Sequence, residues 1–197
     1  MGVVGVGLAL AVGCGGNATS GSGATGGSGA TGGSGGVGGN CNASAKSCTQ
    51  PADCVLTEAS CCVCGDPQLS DYISINKKYQ NVCTCQGPAC GCAVRPNPNL
   101  GATCKSGTCA GFDVKQVDAL SACNSNTDCT LRIGLGCCPA CKSNGFDVIA
   151  VRTDAEATLA KLVCDNGAPQ PCPACAPSPP PNAQAKCIKG RCQVVTQ

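Results

Sequence analysis

Cysteine constrains this chain more than any other residue. It fills 23 of the 197 positions, a fraction at which a disulfide framework becomes the leading explanation for how a chain folds. Large apolar side chains are correspondingly scarce: Tyr72, Tyr79, Phe112 and Phe146 are the only aromatics and Trp is absent, so the residues that usually dominate a buried core are nearly missing. Crosslinks are therefore expected to supply what hydrocarbon burial does not.

The cysteines fall into two series. Cys48 and Cys54 sit in CTQPADCVL and Cys123 and Cys129 in CNSNTDCTL, with the same spacing. A vicinal pair follows each, Cys61-Cys62 with Cys64 and Cys137-Cys138 with Cys141. Cys83 then lines up with Cys164, Cys90 and Cys92 with Cys172 and Cys175, and CKSGTC (Cys104, Cys109) with CIKGRC (Cys187, Cys192). Self-similarity of this kind marks a duplicated structural unit. The expected organisation is two tandem cysteine-rich modules, residues 41–114 and 115–197. Ten cysteines match in each copy, Cys41 and Cys85 are peculiar to the first, and Cys14 stands apart; 23 less Cys14 leaves an even 22, as a fully oxidised framework requires. Cys41 is expected to pair with Cys85, because the second copy lacks both. Connectivity among the matched ten does not follow from sequence.

The fold class expected is a small disulfide-rich α+β protein, each module carrying a short strand, one helix and a C-terminal β-hairpin. Residues 53–57 and 128–133 are rich in β-formers and bounded by polar turn residues, which predicts the opening strands. Tyr72, Ile75, Tyr79 and Val82 recur at helical spacing behind Ser70, and Leu159, Leu162 and Val163 follow a capping-box pattern of Thr153 and Glu156, which predicts one helix in each copy. Ile73-Ser-Ile-Asn and Ile149-Ala-Val-Arg look equivalent. In the closing phrases, Ser106-Gly107 and Lys189-Gly190 are two-residue turn signals that place Cys104 opposite Cys109 and Cys187 opposite Cys192. Opposed cysteines share a face, and both are expected to reach inward to other elements. Prolines 177, 179, 180 and 181 exclude regular structure just before the last hairpin.

Residues 2–13 are uncharged and apolar, and as a helix they span about 18 Å, short of a ~30 Å hydrocarbon core. That length suits the apolar part of a signal peptide over residues 1–13. Ala11-Val12-Gly13-Cys14 resembles the lipobox of bacterial lipoproteins, with Ala11 where Leu is usual. The resemblance implies cleavage before Cys14 and lipidation of that cysteine. Residues 14–40 hold SGATGG twice in succession (22–27 and 28–33) and read as a Gly/Ser-rich stalk with an r.m.s. span of ~28 Å. Gly15 rather than Asp after the cysteine is, by the same resemblance, compatible with the outer membrane. The pattern of strand, vicinal cysteines, helix and closing CxxGxC is similar to that of cysteine-rich bacterial lipoproteins. Together these imply an exported protein of the cell envelope, held to the membrane through a lipid.

Histidine is absent, which removes the commonest general base, the commonest metal ligand and the usual partner of a nucleophilic Ser or Cys. No enzyme activity and no cofactor are expected. Thirteen Lys and Arg against eleven Asp and Glu, with no basic run, give no nucleic-acid footprint. The partner expected is an unknown protein or glycan. Two alternatives carry named residues. Small stapled repeats resemble double-headed proteinase inhibitors, and Arg132 and Lys142, flanking the vicinal pair, would be the exposed basic residues. The CC, CxC and CxxC clusters suit soft-metal thiolate ligation. Cys138-Pro-Ala-Cys141 and Cys172-Pro-Ala-Cys175 also have the CxxC form of thiol oxidoreductases, but no βαβ pattern accompanies them, and structural bridges are the expectation.

Overall fold

The computed structural model describes residues 41, 43–60, 63–83, 92, 95–168, 171–172 and 174–197, which belong to one compact unit. The expectations for the signal segment, Cys14, the stalk and Cys61, Cys62, Cys85 and Cys90 lie outside the described residues.

The described chain is a disulfide-rich α+β structure of short antiparallel pairs. In the first half β1 (Cys54–Glu58) pairs with β2 (Tyr72–Asn76), and β3 (Leu100–Lys105) with β4 (Thr108–Asp113). In the second half β5 (Cys129–Ile133) pairs with β6 (Val148–Arg152), and β7 (Ala183–Ile188) with β8 (Arg191–Thr196). Two short helices, α1 (Asp118–Ser121) and α2 (Glu156–Val163), complete the set.

The opening strands form where β-branched residues follow an aspartate-closed turn. Asp53 Oδ2 accepts from Thr49 N and Thr49 Oγ1, both at 2.8 Å, and Asp128 Oδ2 accepts from Asn124 N at 2.8 Å and Ser125 N at 2.9 Å. Hydrogen bonds to the ionised form favour it, so backbone donation, first from Thr49 and from Asn124 respectively, holds both carboxyls below their ordinary range.

The closing hairpins turn as expected. Ser106 (φ 50°) with Gly107 (φ 77°), and Lys189 (φ 51°) with Gly190 (φ 74°), take the left-handed conformation at both central positions, which a two-residue type I′ turn requires. Cys104 faces Cys109 and Cys187 faces Cys192 across the ladders. Phe112, Val194 and Val195 lie on the outgoing strands, as read from the sequence.

One element departs from expectation. Residues 72–76 form strand β2, not the start of a helix, and among the described residues of 41–114 the only helical turns are short 3-10 segments such as Lys77–Tyr79. The helical spacing of Tyr72, Ile75, Tyr79 and Val82 is coincidental. Ile73 and Ile75 alternate along a strand, and Ile75 is fully buried opposite Val55. The phrase Ile149-Ala-Val-Arg is strand too, so the likeness of the two phrases holds at the level of structure. Helix α2 forms where expected, but Ala155 is its N-cap and no side chain caps it. The Thr153–Glu156 capping box is therefore not made.

A two-stranded ribbon is marginal by itself in water; here each is covered by others. The largest cluster joins Phe112 of β4 and Val114, the first residue after that strand, to Leu120 of α1, Ile149 and Val151 of β6, and Leu159 of α2. A smaller one gathers Ala45, Ile75 and Cys83. A third, of Cys123, Ala150 and Cys192, lies under β7 and β8. Gly101 faces Phe112 across β3–β4, and a Cβ there would stand 2.6 Å from the ring. Glycine is what lets the aromatic lie flat over the strand on its way into the core.

Candidate functional site

Nine disulfides join described residues. The opening segment of each half is stapled to its closing hairpin: Cys48–Cys104 and Cys54–Cys109 in the first, Cys123–Cys187 and Cys129–Cys192 in the second. The opposed hairpin cysteines thus reach inward to other elements and not to each other. Backbone contacts reinforce the junction: Cys48 N donates to Gly107 O at 3.0 Å and Cys123 N to Gly190 O at 3.1 Å. Ser47 also bridges to Thr108 and Ala122 to Arg191.

Cys64–Cys92 and Cys141–Cys175 occupy corresponding places in the two series. Cys138 bonds to Cys172, so the two CPAC motifs are joined to each other twice and neither closes on itself. A thiol oxidoreductase works by opening and closing the bridge inside its motif; that bridge is not the one made here. Ser178 N donates to Cys141 O at 3.2 Å, aligning the proline-rich segment with the first motif.

The expected Cys41–Cys85 bridge is replaced by Cys41–Cys83. After the 3-10 turn Lys77–Tyr79, Cys83 N donates to Tyr79 O at 2.9 Å. The chain curls back and buries Cys83, 1% exposed, against Ala45 and Ile75, where Cys41 is also packed. Cys83 therefore does not correspond to Cys164, which bonds to Cys137. Spacing could not reveal this, because what brings Cys83 to Cys41 is the turn that buries it against Ala45 and Ile75.

Arg132 is not an exposed basic residue. Its side chain is 5% exposed. Nη1 donates to Gly134 O, and Nη2 donates to Gly136 O at 2.7 Å and Cys137 O at 3.4 Å. Burial lowers its pKa from the ordinary value, and Glu156, with Oε2 3.6 Å from Nε, opposes that shift. The guanidinium ties down the loop before the vicinal cysteines, which the fork of donors on Arg suits and a lysine would not. Lys142, by contrast, is exposed beside the Cys141–Cys175 bridge.

The sequence reading missed Phe146. It is 68% exposed on a turn closed by its own side chains. Ser143 Oγ donates to Asp147 Oδ1 at 2.5 Å, and Asn144 Oδ1 accepts from Phe146 N at 2.8 Å. The signal was present in Ser-Asn-Gly-Phe-Asp, a turn phrase holding one of only two phenylalanines. Phe146 lines an open groove of about 970 Å³ with Arg95, Pro96, Pro98, Pro180 and Val194. Large exposed apolar residues next to a concave surface mark contact sites more often than scattered ones do.

Each half also carries a small polar cleft beside its aspartate turn. In the first, about 480 Å³, Asp53 is joined by Lys77 and Lys78. In the second, about 570 Å³, Asp128 is joined by Arg152 and Asp154. Arg152 and Asp154 form a two-pronged ion pair at 2.6 and 2.7 Å, which holds Asp154 below its ordinary pKa.

Among the described residues no helix is long and apolar enough to cross a membrane. Bridges in this number point to an exported or extracellular protein, since such bonds persist in oxidising compartments. No protein-family model matches the chain, and neither a curated protein nor a solved structure is significantly similar to it.

Proposed function

We propose that this chain is a non-catalytic lipoprotein of the cell envelope, anchored through a lipid on Cys14, in which two tandem disulfide-stapled modules on a Gly/Ser stalk present loops to a protein or glycan. The observation that carries the modular part is the recurrence of three bridges with the same partners in both halves: Cys48–Cys104 with Cys123–Cys187, Cys54–Cys109 with Cys129–Cys192, and Cys64–Cys92 with Cys141–Cys175. A duplicated framework conserves pairing when the elements it joins are conserved. The presented surface is the groove around Phe146, whose turn is hydrogen-bonded into shape before any partner arrives. Such preorganisation lowers the entropy cost of binding. Nucleic acid is not a partner on this reading, because neither polar cleft adjoins a basic run.

The anchor is tested by expressing the full chain and its Cys14→Ser variant in a bacterial host with a fatty-acid label. Label on the parent only, with the variant released from the membrane fraction, is the expected result. A variant that stays with the membrane would defeat the lipid anchor. A second reading, proteinase inhibition, now rests on Lys142 alone, exposed next to a crosslink. Stoichiometric inhibition of a trypsin-like protease, abolished by Lys142→Ala, would establish it. The Phe146 turn is a poor candidate for that role, because hydrogen bonds fold it back on itself and a protease cleft takes an extended segment.

A further inference from the structure

We infer that Asn144 is a site of spontaneous covalent modification built into the Phe146 turn: the backbone nitrogen of Gly145 attacks the Asn144 side-chain amide, ammonia leaves, and water opens the resulting cyclic imide to aspartate or isoaspartate. The chain has two Asn-Gly pairs, Asn144-Gly145 and Asn166-Gly167, and the fold treats them differently. At the first, the attacking group already has a proton acceptor. Gly145 N donates to Ser143 Oγ at 2.9 Å, and Ser143 Oγ donates in turn to Asp147 Oδ1 at 2.5 Å. A hydroxyl backed by a carboxylate can take the amide proton as the nitrogen becomes a nucleophile. Asn144 Oδ1 accepts from Phe146 N at 2.8 Å, so the oxygen that gains negative charge in the tetrahedral intermediate has its donor in place. Beyond its chain neighbours, nothing among the described residues lies within 4 Å of a Cβ built on Gly145, and this open side leaves room for the peptide plane to turn onto the amide carbon.

Asn166-Gly167 lacks these parts. Gly167 N donates to Cys164 O at 3.0 Å, a backbone carbonyl that accepts a hydrogen bond and relays no proton. A Cβ on Gly167 would stand 3.7 Å from Lys161 Cα, so the turn is packed where the first is open. Both asparagines are exposed, and access of water does not separate them. The reaction needs no reagent but water. The bond from Gly145 N to Asn144 Cγ forms, the bond from Cγ to Nδ2 breaks, and the proton lost by Gly145 departs on ammonia by way of Ser143. Water then adds across either imide C–N bond, and opening the one at the main-chain carbonyl of Asn144 gives isoaspartate. Either product replaces a neutral amide with a carboxylate. Isoaspartate also routes the backbone through the side chain and lengthens it by a methylene, which removes the spacing on which the bond from Phe146 N to Oδ1 depends. The turn that fixes Phe146 is thereby released; this consequence rests on the reading of the groove as a presented surface, whereas the modification itself does not.

The test incubates the full oxidised chain at neutral pH and follows the tryptic peptides 143–152 and 162–186, which carry Asn144 and Asn166, by the mass change from amide to acid and by isoaspartyl-specific methylation. Conversion at Asn144 at least about tenfold faster than at Asn166 is expected. The difference should vanish in the reduced, alkylated and unfolded chain, where both are bare Asn-Gly pairs. Ser143→Ala should slow Asn144 by about tenfold and leave Asn166 unchanged, whereas a change that only loosened the turn would speed it. Asp147→Asn keeps an acceptor for the Ser143 hydroxyl and removes the carboxylate, and it should slow Asn144 as well. Equal rates at the two asparagines in the folded chain, a difference that survives unfolding, or either variant converting at the parental rate or faster overturns the inference. The lipoprotein reading is untouched by any of these results, because it is tested at Cys14, and no binding partner enters the measurement.

Discussion

The two halves of the molecule solve one problem in different materials. Both need to close the space beneath the β1–β2 or β5–β6 ribbon after its second strand ends. In the first half the described residues after β2 make a 3-10 turn, and Cys41–Cys83 closes the space against a small cluster of Ala45 and Ile75 with Val55, Ile73 and Tyr79 packed on it. In the second, a longer segment forms α2 and buries Leu159 against Ile149, Val151, Val114 and Phe112. Thr57 opposes Ile73 in β1 where Arg132 opposes Ile149 in β5, and only the arginine reaches the carbonyls of the following loop. The lesson is that a crosslink and a few buried methylenes are alternatives of similar magnitude. A staple stabilises by ~2 to 4 kcal/mol, and a buried leucine costs about 2 to 5 kcal/mol to truncate.

The sharpest way to break this comparison is to remove the staple. Cys41→Ser with Cys83→Ser should destabilise the first half by about 4 kcal/mol, given a loop closed over 42 residues. Hydrogen exchange should show amides of 72–76 losing protection before those of 148–152. Equal loss in both strands would mean that the halves share stability too tightly for the contrast to matter. Leu159→Ala should cost about 3 kcal/mol by urea unfolding, with the opposite order of exposure. It is the mirror experiment. Arg132→Met should cost about 2 kcal/mol, because Gly134, Gly136 and Cys137 lose their donor while the aliphatic stem is kept; retained exchange protection across 133–140 would refute the role assigned to the guanidinium.

Acid provides a gentler probe. Asp53 in the first half and Asp128 and Asp154 in the second have folded-state pKa values below their ordinary range. The stability they lend is complete above the unfolded value of about 4 and is lost as pH falls through the lowered folded values. The second half, with two such groups, should open first on acidification, and Asp154→Asn should narrow the gap in an NMR titration. Phe146→Ala, the smallest effect, should change stability by less than about 0.5 kcal/mol. A larger loss in thermal unfolding would show that the ring supports the fold instead of facing a partner.

The parts of the fold legible in advance were those fixed by near neighbours. The turn pairs Ser106-Gly107 and Lys189-Gly190 set the hairpins because two left-handed residues in succession admit one tight turn. The β-formers after Asp53 and Asp128 set the opening strands, and Leu159, Leu162 and Val163 announced α2. Strand β2 was misread because Tyr72, Ile75, Tyr79 and Val82 satisfy a helical period while Ile73 and Ile75 satisfy a strand period. Only pairing with Val55 and Thr57 chooses between them. Phe146 escaped notice because exposure belongs to the folded surface and has no local signature beyond a turn phrase.

By itself the sequence determined the covalent capacity of the molecule: how many sulfurs there are, that they come in two series, and that chemistry built on histidine is excluded. Tertiary structure alone decided the partners of Cys41 and Cys83 and the burial of Arg132. Both outcomes depend on which groups a turn or loop carries into contact across dozens of residues. Such encounters are governed by chain closure and desolvation, and neighbours along the chain do not encode them.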